Sequence, residues 1–287
     1  MNRIGIIGGS GVYDLPGLTD IRSVAVDTPW GKPSDEVVLG TFDGVGLAFL
    51  ARHGRGHRLA PSQVNYRANI AALKSLGVTD VLSISAVGSL REDLSPGSFV
   101  VVDQYIDRTV RREASFFAPG LVAHVSMAHP VCARLGRHLL RAVQAQGVPH
   151  APSGTYVCIE GPQFSSLAES RLYRTWGCDV IGMTNMPEAK LAREAELCYA
   201  SLAMVTDYDC WHPDHDSVTV ASVIKVLLAN ADAARRLVAG LAPVVAHDAH
   251  AAACACRHAL NYALITAPDR RDPVVVEQLR GIAGRVL

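Results

Sequence analysis

Short apolar runs of strand character alternate with longer stretches of helical periodicity along most of this chain, and that alternation leaves few folds open. Strands are expected at residues 4–7, 37–41, 47–51, 81–85, 99–102, 155–159 and 199–205. Between them, Val64, Ala68, Ala71, Ala72 and Leu76 recur at helical spacing after a Pro61-Ser62 start signal, which predicts a helix over 64–76. Helices are also expected over 132–146, over 187–197, where Pro187 and Glu188 suit a first turn, and from a cap at Ser217 or Thr219 to about Leu241. Strands and helices in this order predict an α/β fold with a largely parallel central sheet. Residues 1–241 read as one domain. Residues 242–287 read as a C-terminal extension that packs on that domain or on a neighbouring subunit.

Lysine plus arginine and aspartate plus glutamate both number 27, so the formal net charge is zero. No segment carries the basic stripe of a nucleic-acid binder. No apolar run approaches the roughly 20 residues that span a bilayer, and the first strand begins almost at once, without the layout of a signal peptide. The seven cysteines are scattered through apolar segments, as expected of reduced thiols in a cytoplasmic protein. Cys254-Ala-Cys256, with His247, His250 and His258 nearby, does not match a common zinc spacing. It reads first as packing, then as a redox pair, and only last as a metal site; no metal is expected.

The chemistry-bearing residues cluster where strands end. Asp207 and Asp209 follow the apolar run 199–205, and open α/β sheets bind ligands beyond their strand ends. One such aspartate is more often a helix cap; two around Tyr208, with Cys210-Trp211 behind, favour a site. A carboxylate can accept from an exocyclic amine, and with a pKa raised by burial it can donate to a ring nitrogen. Both roles suit an aminopurine. Gly8-Gly9-Ser10-Gly11 follows the first strand and offers backbone N–H groups and a hydroxyl to an anion, although a plain tight turn accounts for it equally well. Arg52-His53-Gly54-Arg55-Gly56-His57 ends another strand, and the planar fork of Arg52 fits a phosphate. The segment from Ser83 to Ser89 reads by itself as a buried strand finishing in a turn. Phe164, in the run from Glu160 to Ser166, could stack on a flat base, although a lone Phe is more often core. Met183 and Thr184 occupy a strand-to-helix turn.

The joint order of several long motifs resembles the trimeric purine nucleoside phosphorylases, in their methylthioadenosine-cleaving branch. They are Gly5-Ile-Ile-Gly-Gly-Ser-Gly11, Asp27-Thr-Pro-Trp-Gly-Lys-Pro-Ser-Asp35, Ala51-Arg-His-Gly-Arg55 with Val64-Asn-Tyr66, Glu160-Gly-Pro-Gln-Phe-Ser-Ser166, Tyr173-Arg-Thr-Trp-Gly177 and Thr206-Asp-Tyr-Asp-Cys-Trp211. The resemblance runs from Ile4 to about Leu241. It implies a single α/β domain with a mixed, partly barrel-like sheet flanked by helices, and a homotrimer or dimer of trimers. It implies cleavage of 5′-methylthioadenosine by inorganic phosphate, a co-substrate, with no cofactor. By the same resemblance Ser10, Arg52, His53, Ser85, Ala86 and Thr184 hold phosphate. Met183 lies on the ribose, Phe164 borders base and sugar, and Asp207 and Asp209 bind N7 and the 6-amino group. His57, Val220 and Val223 border the methylthio end, and His124 reaches in from a neighbouring subunit. Ser10 stands where many relatives place Thr, which keeps the hydroxyl.

Three rivals are weaker. A 6-oxopurine enzyme would set an amide rather than two carboxylates against the base. A hydrolase would leave Arg52 and His53 without a task. A non-catalytic binding protein on the same fold would be marked by loss of Asp207 or Arg52, and both are present.

Overall fold

The structure is a computed structural model that describes residues 3–9, 15–213 and 220–287. Eleven strands form one sheet: β1 (Arg3–Gly8), β2 (Thr19–Val24), β3 (Val37–Phe42), β4 (Val45–Ala51), β5 (Val78–Ser89), β6 (Phe99–Val102), β7 (Gln104–Arg108), β8 (His150–Ala151), β9 (Thr155–Ile159), β10 (Val180–Gly182) and β11 (Cys198–Asp207). The helices are α1 (Tyr66–Ser75), α2 (Ala133–Ala145), α3 (Leu167–Thr175), α4 (Asn185–Glu194), α5 (Val220–Ala246) and α6 (Pro273–Ala283).

The sheet is mixed. β4, β1, β5 and β11 are mutually parallel neighbours, with Ile7 opposite Ser83 and Asp207 opposite Gly88. The twelve-residue β5 pairs with β1 and β11 and then, at its far end, antiparallel with β10. β10 leads to β9 and β7, while β11 leads to β6. Only Asp103 separates β6 from β7, so the chain itself closes a ring through β5, β10, β9, β7, β6 and β11. This is the partly barrel-like sheet that the family resemblance implies.

Period-two alternation sends side chains to two faces. Ile4, Ile6, Leu47, Phe49, Leu82, Ile84 and Leu202 pack with α2 and α5, through Leu135, Leu139, Leu237 and Leu241. Ile7, Ala48, Leu50, Val81 and Val205 pack on the other face with α1, α4 and α6, through Ile70, Leu73, Leu191 and Ile282.

Most sequence-derived elements are present with shifted ends. The helix expected over 187–197 starts at Asn185, with non-helical backbone at Met186. The strand expected over 81–85 runs on through Ser89. The helix expected to stop near Leu241 continues to Ala246, and its proposed caps, Ser217 and Thr219, lie outside the described residues. After it, the C-terminal segment returns to the domain: Leu260 N–H and Arg285 both bond the carboxylate of Glu196. Among the described residues no helix is long and apolar enough to cross a membrane.

Candidate active site

Because β4, β1, β5 and β11 run parallel, their carboxyl ends bring four separate motifs to one side of the sheet. Arg52 is the first residue beyond β4. It is almost fully buried, and a lone guanidinium there would be untenable. Its partner is Glu188 in α4, which accepts from Nε at 2.8 Å and from Nη2 at 3.1 Å. Nη2 also donates to Ser83 Oγ at 2.6 Å, and Nη1 to the Ile84 carbonyl at 3.2 Å. Burial works against the charge, but the Glu188 carboxylate more than offsets it, and Arg52 stays cationic. Ser83 also accepts from Asn185 Nδ2 at 3.0 Å, and Tyr199 donates to Glu188 at 2.8 Å. The fork is thus held rigidly, with its Nη1 end against β5.

His53 donates from Nδ1 to the Leu59 carbonyl at 2.9 Å and stacks on His57 with ring centroids 4.2 Å apart. Burial and then the neighbouring Arg52 charge lower its pKa to about 4, so the ring is neutral and Nε2 is an acceptor. Two residues past Ser83, the hydroxyl of Ser85 is buried and has no partner among the described residues, with Ala86 following it on β5. Thr184 precedes α4, and its N–H and hydroxyl each lie 3.4 Å from Tyr156 Oη. Gly182 permits this approach, since a Cβ there would meet that tyrosine oxygen at 2.1 Å.

Asp207 ends β11 beside Gly88. Its Oδ2 accepts from Thr206 Oγ1 at 2.7 Å and its Oδ1 from the Asp209 N–H at 2.8 Å. Asp209 is buried and takes a left-handed φ of +51° to make that turn. Burial raises the pKa of both carboxyls; the Asp207 charge adds to the rise at Asp209. Trp211 braces the turn, donating from Nε1 to Ser89 O at 2.7 Å under the Arg174 guanidinium.

Phe164 is exposed, which rules out the core alternative. The Met183 loop and the Glu160 loop are joined by a residue that no motif singles out. Arg112 donates to Met183 O at 2.8 Å, to Met186 O at 2.5 Å and to Glu160 O at 2.6 Å. Glu160 in turn accepts from Ser62, the Val110 and Arg111 N–H groups and Arg112. These outweigh burial and hold its pKa down to about 2. Nothing local in the sequence marks Arg112, whose partners lie far along the chain. Glu188 reads in the sequence only as a first-turn acid, not as the partner of Arg52.

Ser10 lies outside the described residues, as do the side chains of Val220 and Val223, which open α5. His124 is exposed, and its N–H bonds Ala263 O in the C-terminal segment. Elsewhere, Cys254 and Cys256 meet Cys132 and Cys198, a grouping that spacing did not reveal.

A profile of the phosphorylase superfamily matches residues 3–243. The S-methyl-5′-thioadenosine phosphorylase of Rhodospirillum rubrum is 60% identical over 99% of this chain and 97% of its own length. That of Cereibacter sphaeroides is 59% identical over 99% and 98%. Among solved structures, a methylthioadenosine phosphorylase from an antarctic soil metagenomic library superposes with a TM-score of 0.92 at 49% identity, covering 98% of both chains. A mutant of the Schistosoma mansoni adenosine/methylthioadenosine phosphorylase, in complex with methylthioadenosine, does so at 0.85 and 36%, over 96% of this chain and 100% of that one. The chain belongs to the phosphorylase superfamily, in its S-methyl-5′-thioadenosine phosphorylase family.

Proposed function

We propose that this chain cleaves S-methyl-5′-thioadenosine with inorganic phosphate, giving adenine and 5-methylthioribose 1-phosphate, with no cofactor. The observation that carries the reading is the half-buried Asp207 carboxyl at a strand end beside Asp209, its pKa raised by desolvation. Breaking an N-glycosidic bond leaves negative charge on the purine and positive charge on the sugar. Protonated Asp207 gives its proton to N7 as the bond lengthens, and Asp209 accepts from the 6-amino group. A general acid of this kind supplies about 3–5 kcal/mol of transition-state stabilisation.

Phosphate sits against Nη1 of Arg52, the free Ser85 hydroxyl, His53 and Thr184, with Ser10 and the Ala86 backbone completing the cradle. Neutral His53 accepts a hydrogen bond at Nε2 from the P–OH of monohydrogen phosphate, which keeps its proton. The anion first stabilises the oxocarbenium-like sugar and then attacks C1′. Ser85 and Gly88 are three residues apart on β5, a span of roughly 10 Å that leaves room for a ribosyl group between anion and base. Met183 covers the ribose and exposed Phe164 closes over base and sugar. His57, Val220 and Val223 face the methylthio group. In this reading the enzyme is a cytoplasmic homotrimer, or a dimer of trimers, and exposed His124 serves a neighbour's site. Free thiols at all seven cysteines suit a reducing compartment.

The test is base release from methylthioadenosine and from inosine, each with and without phosphate. Phosphate-dependent adenine release with much slower inosine turnover is expected. Faster inosine turnover overturns the assignment of Asp207 and Asp209 to a 6-aminopurine, and release without phosphate overturns phosphorolysis.

A further inference from the structure

We propose that Cys132, Cys198, Cys254 and Cys256 form a structural site for one zinc ion that fastens the C-terminal segment to the domain. The four sulfurs come from three places. Cys132 is the N-cap of α2, Cys198 is the first residue of β11, and Cys254 and Cys256 sit at a short helical turn some fifty residues further on. All four Sγ atoms lie within 4.8 Å of one another, and Cys132 and Cys254 are 3.5 Å apart. A tetrahedral zinc tetrathiolate with Zn–S bonds of about 2.3 Å has sulfurs separated by roughly 3.8 Å. Disulfide sulfurs approach to about 2.05 Å. The cluster therefore has the size of a metal-binding tetrahedron, with all four thiols free. Three of the four cysteines are buried, as in a closed structural site.

The surroundings fit the charge. Four thiolates and one zinc ion carry a net charge of −2, which needs donors and cations around it. The Leu135 N–H, in the first turn of α2, points at the Cys132 sulfur at 3.5 Å. Arg134 adjoins the Cys198 sulfur, and Arg193 places its charge near Cys256. The Nε–H groups of Arg134 and Arg257 are buried and have no oxygen partner among the described residues, although both guanidinium groups pair with Asp80 through their other nitrogens. Sulfur ligands set tetrahedrally select zinc or iron over harder cations. The role follows from the connectivity: the ion would bind residues 254–256 to the starts of α2 and β11, on the face of the sheet that α5 covers.

The experiment uses the full chain, without a polyhistidine tag, purified under argon without chelator. Elemental analysis is expected to give about one zinc per chain. Cobalt substitution should yield the visible d–d bands and thiolate charge transfer of a tetrahedral tetrathiolate. Cys254→Ser should lose the zinc and lower the melting temperature, while Cys178→Ala, outside the cluster, should keep it. Zinc displaced by a mercurial titrant should appear in step with loss of the four thiols, a readout that does not depend on any variant folding. A wild-type chain without metal, or with these cysteines paired as disulfides in air-free peptide maps, overturns the site. Stoichiometric iron overturns zinc as its occupant.

Discussion

The Asp207 carboxylate accepts the backbone N–H of Asp209 at 2.8 Å, and Asp209 adopts a φ of +51° to deliver it. One carboxyl is thus oriented by the residue that carries the other. Asp207→Asn keeps an acceptor for that N–H but removes the acid, so kcat on methylthioadenosine should fall by about 10²–10⁴. Its melting temperature should hold or rise, because burial already disfavours the charged form. Asparagine tolerates the left-handed region, so Asp209→Asn should also fold and should lose less. Steady-state adenine release and thermal melts check both. A kcat within threefold of wild type for Asp207→Asn would count against its role as acid.

Gly88 lies beneath the pair. A Cβ there would stand 2.9 Å from Asp207 Oδ1 and 3.0 Å from Ile181 Cγ2. Gly88→Ala must displace the acid, the neighbour or both. We expect a stability loss of about 1–3 kcal/mol by overpacking and a fall in kcat of roughly 100-fold from misplacement. Urea unfolding alongside kinetics separates the two. Unchanged turnover would show that Asp207 does not need its present position.

The Arg52–Glu188 ion pair is buried on both sides. Glu188→Gln leaves the guanidinium charge without its counter-charge, and unfolding should become easier by about 3–5 kcal/mol. Arg52→Lys keeps the charge but loses the fork, so the KM for phosphate should rise roughly ten- to hundredfold with a smaller effect on the KM for nucleoside. Equal effects on both KM values would argue that Arg52 is structural only.

For His53 the sign is set by a folded pKa of about 4 against an ordinary 6.5. The folded chain binds fewer protons than the unfolded one between these values, so this contribution is complete above about 6.5 and disappears as pH falls toward 4. His53→Gln should therefore flatten the acid side of the stability curve by up to about 3 kcal/mol. Asp207 and Asp209, with raised pKa values, act in the opposite sense in both proteins and cancel in the comparison. Parallel acid branches in urea melts from pH 4 to 7 would refute the assignment.

Sequence by itself determined the elements whose signal is local. Buried strands such as β4 and β11 declare themselves as apolar runs, and the motifs at their ends mark where a ligand belongs because parallel strands share one carboxyl edge. Edge strands β2 and β7 escaped, since β2 is mostly exposed and β7 only half-buried, and neither carries the needed alternation. Helix α3 escaped despite a legible start signal, the Ser166–Glu169 capping box. Tertiary structure alone decided what depends on residues distant in the chain. Glu188 neutralises Arg52 across 136 positions, Arg112 ties loops 48 and 71 positions away, and Cys254 meets Cys132 across 122. No spacing rule can predict such pairs, because only the folded sheet fixes which strand ends and turns become neighbours.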